Sequence, residues 1–260
     1  MDCIAEARTF DQQCCGRGKR DGALFAATIV ICMPRHSPVA FHSMEHDAMS
    51  DDSLTFYTNP MSRGRIVRWM LEELGVPYGT VLLDYGTTMK APEYLAINPM
   101  GKVPAIRHGG TVVTEVAAIC TYLAESFPQA GLAPAPGDRL RGPYYRWLFF
   151  AARPVEAAVS NRTLGFVVPP GRGRMMGYGT YAEVIDVLDS AVSKGDYLLG
   201  EQFSAADVVL GSHLGFGMQF GTIDKRPAFE RYWARLSTRA AALRARQIDD
   251  DLMPKSPANA

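Results

Sequence analysis

The sequence predicts an α/β domain with a four-stranded mixed sheet, followed by an all-α domain. Three observations predict this architecture. Residues 54–85 contain a strand, an amphipathic helix and a second strand, and residues 105–114 have the pattern of a β-hairpin. After residue 139 the apolar spacing fits helices, and no stretch alternates as a strand would. The first domain therefore has the order β-α-β-α-β-β-α.

The first domain opens with a strand, a helix and a second strand. The stretch LTFYT is short and rich in β-forming residues. In the next stretch, SRGRIVRWMLEELG, Ile66, Met70 and Leu71 share one helical face, and Gly75 provides a stop signal. The second strand is YGTVLLDY, and APEYLAI is a short helix. A strand-helix-strand unit predicts a parallel pair with a right-handed crossover.

The hairpin has a proline at its first strand. AIRH and TVVT flank the pair Gly109-Gly110, which predicts two antiparallel strands joined by a tight turn. Pro104 precedes AIRH and removes one hydrogen-bond donor from the strand's start. Taken alone, such a proline is explained by an edge strand that must avoid further pairing. The helix EVAAICTYLAESF completes the first domain.

The chain is expected to divide into five segments. Residues 1–52 show no sustained periodicity and are expected to be a disordered or spurious extension; whether they are translated or serve targeting stays open. Residues 53–127 form the sheet domain, and 128–138 form a linker rich in proline, glycine and alanine. Residues 139–248 form the helical domain, and 249–260 a disordered tail.

Composition narrows the class of protein. Lys and Arg total 27, as do Asp and Glu, so the formal net charge is zero. A nucleic-acid binder usually has a basic excess, so no nucleic-acid partner is expected. Four of the five cysteines precede residue 33, and no CxxC pair occurs. We expect no metal site, no disulfide scaffold and no membrane partner, and a cytoplasmic location.

Three stretches together resemble a known family. KVP opens the hairpin, TEVAAICTYL follows it, and FSAADVVLG lies in the helical half. In this order they resemble the cytosolic glutathione transferases, with features of the bacterial theta- and beta-type branches, over about residues 53–245. The resemblance implies a thioredoxin-like first domain that binds glutathione as co-substrate. It also implies a helical domain that shapes a pocket for a small electrophile, and a homodimer.

The resemblance gives Pro104 a role. It implies that the Val103–Pro104 peptide bond is cis, a form that ordinary sequences accept mainly before proline. The backbone N–H and C=O of Val103 would then pair with the cysteinyl backbone of glutathione, as an added strand pairs with a sheet edge.

Other contacts to glutathione are also implied by the resemblance. Glu115 would hold the γ-glutamyl amino group. Val116 stands where the family usually has a serine, so its backbone N–H at the helix start would bind the γ-glutamyl carboxylate. Weaker glutathione binding is therefore expected. Lys102 and Lys90 would bind the glycyl carboxylate.

The conjugation reaction that the resemblance implies needs glutathione in its thiolate form, because a thiol is a poor nucleophile. Ser62 lies between the first strand and the first helix, where a hydroxyl and a helix amino terminus act on the same anion. Serine there is also a common helix cap, although Arg65 stands where a capping box would have an acid or amide. Asn59 and Tyr57 are the alternative thiolate donors.

The predicted activity is conjugation of glutathione with a small apolar electrophile, as in detoxification. Tyr144 and Trp147, in the aromatic stretch YYRWLFF, are candidate pocket residues, although such a stretch is also typical of a core or an interface. The alternatives are disulfide reduction, isomerisation, dehalogenation, or a non-catalytic glutathione-binding module. The electrophile and the subclass are not determined by the sequence.

Overall fold

The computed structural model describes residues 52–253. Its four-stranded sheet has the order β2-β1-β3-β4, where β1 is Leu54–Thr58, β2 is Gly79–Leu82, β3 is Ala105–His108 and β4 is Thr111–Thr114. Strand β1 is parallel to β2 and antiparallel to β3, and β3 is antiparallel to β4. The sheet is therefore mixed, as the sequence predicts.

Nine α-helices occur among the described residues: α1 Gly64–Leu74, α2 Pro92–Leu95, α3 Val116–Ser126, α4 Arg141–Phe150, α5 Glu156–Thr163, α6 Tyr181–Val192, α7 Ala205–Phe220, α8 Pro227–Ser237 and α9 Ala240–Asp251. The first three accompany the sheet, and the other six follow it. The predicted fold class, a thioredoxin-like sheet domain followed by a helical domain, is confirmed. The exact domain limits stay predictions.

Helix α1 joins the sheet to the helical half. Its buried side chains include Ile66, Met70 and Leu71, which belong to a continuous apolar core reaching from Phe56 in β1 into α7. Gly75 ends the helix with φ 66°, and its N–H donates to Leu71 O at 3.1 Å. Glycine adopts this left-handed conformation without a Cβ clash, so the predicted stop is confirmed.

The helical run that begins at Arg141 is interrupted. Between α4 and α5, residues 151–155 form a π-helical turn that contains Pro154. Proline has no N–H to donate, so the regular hydrogen-bond ladder cannot continue through it. The turn lets α5 begin at Glu156, whose side chain is part of the site described below.

Helix α7 starts with a capping box formed by Ser204 and Asp207. Asp207 Oδ2 accepts hydrogen bonds from Ser204 N and Ser204 Oγ, both at 2.9 Å. Its other oxygen accepts bonds from Leu198 N and from the hydroxyl of Tyr232, both at 2.8 Å. Because Asp207 is fully buried, these bonds anchor α7 to α8 as well as capping it.

The chain's end differs from the prediction. Helix α9 continues to Asp251, three residues into the segment expected to be a disordered tail. The reason is that Asp249 is buried and its Oδ1 lies 3.2 Å from Nε of Arg68 on α1. Residues 1–51, nearly all of the predicted extension, and 254–260 lie outside the described residues. No described helix is both long enough and apolar enough to cross a membrane.

Candidate functional site

Three chain segments meet at one end of the sheet. In the strand register Tyr57 faces Ala105, and Ala105 faces Thr114. The residues just outside these pairs therefore come together: the turn 59–63 after β1, Val103–Pro104 before β3, and Glu115 before α3. This end of the sheet therefore brings together predicted site residues from three segments that are distant along the chain.

The Val103–Pro104 peptide bond is cis, as the resemblance implies. Among the described residues, neither the N–H nor the C=O of Val103 has a hydrogen-bond partner. The preceding carbonyl, that of Lys102, is held by the hydroxyl of Tyr94 and by Nδ2 of Asn98, both at 2.7 Å. The backbone of Val103 is thus held firmly and left free to pair with an extended peptide.

Tyr94 and Asn98 are positioning residues that sequence reasoning missed. Both are buried, and both donate to the same carbonyl. Burial raises the pKa of Tyr94 to about 12, so its hydroxyl keeps its proton and acts as a donor at neutral pH. The sequence signal was present but weak, since APEYLAINPMGKVP places an aromatic and an amide just before the proline.

Ser62 lies in the turn between β1 and α1. Its hydroxyl donates to Asn59 O at 2.7 Å and accepts from Gly64 N at 2.9 Å. Arg63, not Ser62, is the residue that precedes the helix, and the Arg63 side chain does not cap it. The hydroxyl therefore lies at the positive end of α1, where an anion is stabilised.

The two alternative donors are buried within the fold. Asn59 is buried, donates from Nδ2 to Leu83 O at 2.8 Å and accepts from Met61 N at 2.9 Å. Tyr57 is buried in a small cluster against Tyr94. Neither lines the cavity described next, whereas Ser62 does.

A cavity of about 1120 Å³ runs from the sheet's end to the helical half. Ser62, Lys90, Lys102 and Val103 line it on the sheet side. The helical side is contributed by α5, α7 and the segments after them, with the apolar residues Val159, Leu164, Phe216, Phe220 and Ile223. One cavity thus brings together four of the sequence-predicted residues and an apolar wall.

The two predicted lysines and the residues at the start of α3 differ in their hydrogen bonds and in their contact with the cavity. Lys90 Nζ donates to Met100 O at 3.0 Å and Gly101 O at 2.9 Å, so part of its role is structural. Lys102 is exposed. Glu115 is exposed and precedes α3 with φ 69°, a conformation rare for a residue with a Cβ. Neither Glu115 nor Val116 lines the cavity itself.

The predicted pocket residues on α4 lie elsewhere. Tyr144 is completely buried, and Trp147 is 7% exposed; both belong to the main core and not to the cavity lining. The Tyr144 hydroxyl has no hydrogen-bond partner among the described residues, and burial raises its pKa. Their large apolar area makes the core the favourable place for these rings. Helices α5 and α7 line the cavity instead.

Arg63, Glu156 and His213 are among the polar residues of the cavity that were not predicted. Glu156 accepts a hydrogen bond from the Arg63 guanidinium. Its Oε2 lies 3.9 Å from Nδ1 of His213. These residues belong to α5, α7 and the turn before α1, so no local sequence pattern could unite them.

Comparison with known proteins agrees with this architecture. The family model for the glutathione S-transferase N-terminal domain matches residues 61–126, and the model for the C-terminal domain matches residues 179–240. Glutathione S-transferase F10 of Arabidopsis thaliana is 31% identical over 209 residues, which are 72% of this chain and 94% of that protein.

Solved structures agree as well. A sphingomonad glutathione S-transferase complexed with glutathione has a TM-score of 0.62 and 27% identity, covering 75% of this chain and 98% of its own. A glutathione transferase homologue from Sulfitobacter with bound glutathione has a TM-score of 0.60 and 27% identity, covering 77% and 99%. The fold and these matches define a two-domain protein with a thioredoxin-like first half. The chain belongs to the glutathione S-transferase family.

Proposed function

We propose that this protein binds glutathione at the sheet's end, ionises its thiol beside Ser62, and conjugates the sulfur to a small apolar electrophile. The observation that supports this most is the single cavity lined by the Ser62 hydroxyl, the unpaired backbone of Val103 and the apolar helical wall. Glutathione-bound relatives of the same fold support the choice of tripeptide.

Ionising the thiol is the chemical task. A free thiol has a pKa of about 8.5, so only a few per cent is thiolate at neutral pH. Lowering that pKa by about two units requires roughly 2.7 kcal/mol of extra stabilisation for the anion. A hydrogen bond to a charged acceptor contributes about 1.5–3 kcal/mol, and a helix amino terminus typically about 0.3–1 kcal/mol. The stabilisation of the thiolate by Ser62 and α1 together is therefore of the required size.

The Ser62 hydroxyl has to turn for this. Its hydrogen is directed at Asn59 O while its lone pairs face Gly64 N. Rotation about the C–O bond moves the hydrogen toward the sulfur, and the bond from Gly64 N is kept. The exchange of a neutral acceptor for an anionic one favours the rotated form.

The remaining contacts follow the resemblance. Val103 would pair with the cysteinyl backbone. Lys102, and Lys90 with its remaining N–H, would bind the glycyl carboxylate. Glu115 would bind the γ-glutamyl amino group, and the N–H of Val116 its carboxylate. A homodimer, a cytoplasmic location and a detoxifying role stay predictions.

A cysteine-based mechanism is disfavoured. Residues 59–63 contain no cysteine. Cys120 is completely buried, and burial raises the pKa of its thiol, so it is a poor nucleophile. Chemistry at this site therefore depends on the sulfur of glutathione.

The test compares turnover with retention. Conjugation of 1-chloro-2,4-dinitrobenzene and retention on immobilised glutathione are measured for the wild type, Ser62→Ala and Ser62→Thr. We expect Ser62→Ala to lower kcat/KM for glutathione by roughly 10- to 100-fold, since about 1.4–2.7 kcal/mol of anion stabilisation is lost. Retention should change little, and Ser62→Thr should keep most of the activity.

Ser160→Ala is the matched control, because Ser160 lines the same cavity with its hydroxyl directed at Glu156. Its turnover should stay near that of the wild type. Retention of the wild type without turnover would indicate a binding module. Absence of both retention and turnover would contradict the proposal.

A further inference from the structure

A polar cluster lies in the cavity wall beside Ser62. Glu156, the first residue of α5, accepts a hydrogen bond from Arg63, which follows Ser62 in the chain. The second carboxylate oxygen of Glu156 lies 3.9 Å from Nδ1 of His213 on α7. All three residues line the cavity. The imidazole is thus placed where the second substrate has to lie if the proposed function holds.

The imidazole of His213 is neutral at physiological pH. Its side chain is 14% exposed. Burial lowers the pKa of His213 to about 4, Glu156 opposes this shift, and Arg63 adds to it. A neutral imidazole has one N–H donor and one lone-pair acceptor.

Glu156 determines which nitrogen has the proton. A carboxylate oxygen at 3.9 Å attracts an N–H and repels a lone pair. The tautomer protonated at Nδ1 is therefore favoured, and Nε2 holds the lone pair. Among residues 52–253, no side chain or backbone group donates a hydrogen bond to this ring.

The neighbouring hydroxyls do not supply a donor. Thr163 Oγ1 donates to Val159 O at 2.8 Å, and Thr222 Oγ1 donates to Gly217 O at 3.4 Å. The hydroxyl of Ser160 is directed at Glu156. Their hydrogens are already used within the wall, and none of them donates to His213, which lines the cavity.

We propose that His213 is a specificity-determining residue whose Nε2 accepts a hydrogen bond from the electrophile, so that the cavity selects electrophiles bearing a hydroxyl or N–H donor. This inference rests on the proposed function and names its substrate class. The surrounding apolar residues hold the body of the electrophile, and His213 orients it.

The cavity would discriminate between electrophiles because leaving the buried Nε2 of His213 without a hydrogen bond costs free energy. An electrophile that lacks the donor displaces water from Nε2 without replacing the hydrogen bond. A site built to pair with a substrate hydroxyl disfavours the analogue without it. Here we expect a preference of roughly tenfold or more in kcat/KM, in keeping with a single neutral hydrogen bond.

The experiment uses matched isothiocyanates. The sulfur of glutathione forms a bond with the isothiocyanate carbon, the C=N π pair moves to nitrogen, and water supplies its proton, giving a dithiocarbamate. Phenethyl isothiocyanate is compared with its 4-hydroxy and 4-methoxy forms, since a 4-hydroxybenzyl isothiocyanate would lose thiocyanate through a quinone methide. The methoxy form keeps the oxygen and the size but lacks the hydrogen. Uncatalysed rates are subtracted.

We expect the wild type to prefer the 4-hydroxy compound by at least roughly tenfold over its methoxy and unsubstituted partners. His213→Phe should reduce this ratio to near one. His213→Gln, which keeps an acceptor, should restore part of it. Ser212→Ala, the neighbouring change on α7 with a hydroxyl bonded to Val208 O, should leave the ratio unchanged.

Equal rates of the wild type with all three compounds would overturn the inference, as would a ratio that His213→Phe leaves intact. A calorimetric comparison of S-benzylglutathione with S-(4-hydroxybenzyl)glutathione separates the two proposals. Preferential binding of the hydroxylated form without any turnover would contradict the proposed function and support His213. Turnover without discrimination would support the proposed function and contradict the role of His213. If neither glutathione derivative bound, both proposals would be contradicted.

Discussion

The hydroxyl of Ser62 and the imidazole of His213 differ in how the fold treats them. Ser62 Oγ has both a donor and an acceptor partner in the turn before α1. His213 lines the same cavity with no hydrogen bond from its described neighbours. The backbone of Asn59 and Gly64 therefore holds the serine oxygen in place, whereas no described neighbour donates a hydrogen bond to the histidine ring.

The first prediction concerns His213 and pH. Its folded-state pKa of about 4 lies below the ordinary value of 6.5, so the unfolded chain binds the proton more readily between these values. Stability from this residue is therefore present above about pH 6.5 and is lost as pH falls toward 4. We expect His213 to account for about 2–3 kcal/mol of the loss between pH 7 and pH 4.5.

The measurement is urea unfolding of the wild type and His213→Gln at several pH values in that range. The glutamine variant should lose less stability on acidification, by the amount stated. Glu156 and Arg63 are the charged groups that face the ring, and both are present in the two proteins. Identical pH profiles would show that His213 does not titrate with a lowered pKa.

At the scale of elements, two helices begin with the same capping box in different surroundings. Thr180 and Glu183 cap α6 at the surface, and Ser204 and Asp207 cap α7 in the core. Asp207 also holds Leu198 N and the Tyr232 hydroxyl. Because Asp207 is buried, the residue that caps α7 also connects that helix to Leu198 and to α8.

The second prediction follows from this contrast. Asp207→Ala should lower the free energy of unfolding by about 3 kcal/mol or more, because several buried donors lose their acceptor at once. Glu183→Ala should cost about 1 kcal/mol or less, because water can replace an exposed cap. Both values come from denaturant unfolding. Equal costs for the two variants would mean that burial of the α7 cap adds nothing.

At the scale of the whole molecule, the ion pair between Arg68 and Asp249 connects α1 to α9. The two side chains are 2% and 1% exposed. Arg68 also donates to the hydroxyls of Tyr78 and Thr80 beside the sheet. The last helix is thereby tied to the sheet half of the molecule.

The third prediction is that Asp249→Ala lowers the free energy of unfolding by about 3–5 kcal/mol, since it leaves a buried guanidinium without its carboxylate. Asp250→Ala is the adjacent control, because its pair with Arg65 is half exposed and should contribute about 1 kcal/mol or less. Replacing both partners, as Arg68→Met with Asp249→Leu, should recover much of the loss. A mild effect of Asp249→Ala alone would contradict this account of the pair.

The sequence predicted the fold class because its signals are local. Gly75 ends α1, Gly109 and Gly110 turn the hairpin, and Ser204 with Asp207 starts α7. The cis bond at Pro104 followed from the resemblance to a family. The family itself followed from short stretches in a fixed order.

The rest depended on packing between distant parts of the chain. Tyr144 lies in the core because it is on the face of α4 that turns inward. The spacing of residues in YYRWLFF does not indicate which face that is. His213 lies on α7 and Glu156 begins α5, so their meeting depends on how two helices that are distant along the chain pack together. The end of α9 was missed because it depends on Arg68, far away in the sequence.

The central claim, that the start of α1 and Ser62 keep the sulfur of glutathione anionic, is tested most directly by titrating the bound thiol. The ultraviolet absorbance of the thiolate is followed against pH for glutathione with the wild type and with Ser62→Ala. We predict half-ionisation about two pH units below the value of about 8.5 for the free thiol, and a return most of the way to that value in the variant. Ionisation of the wild-type complex at the same pH as glutathione in buffer would contradict the claim.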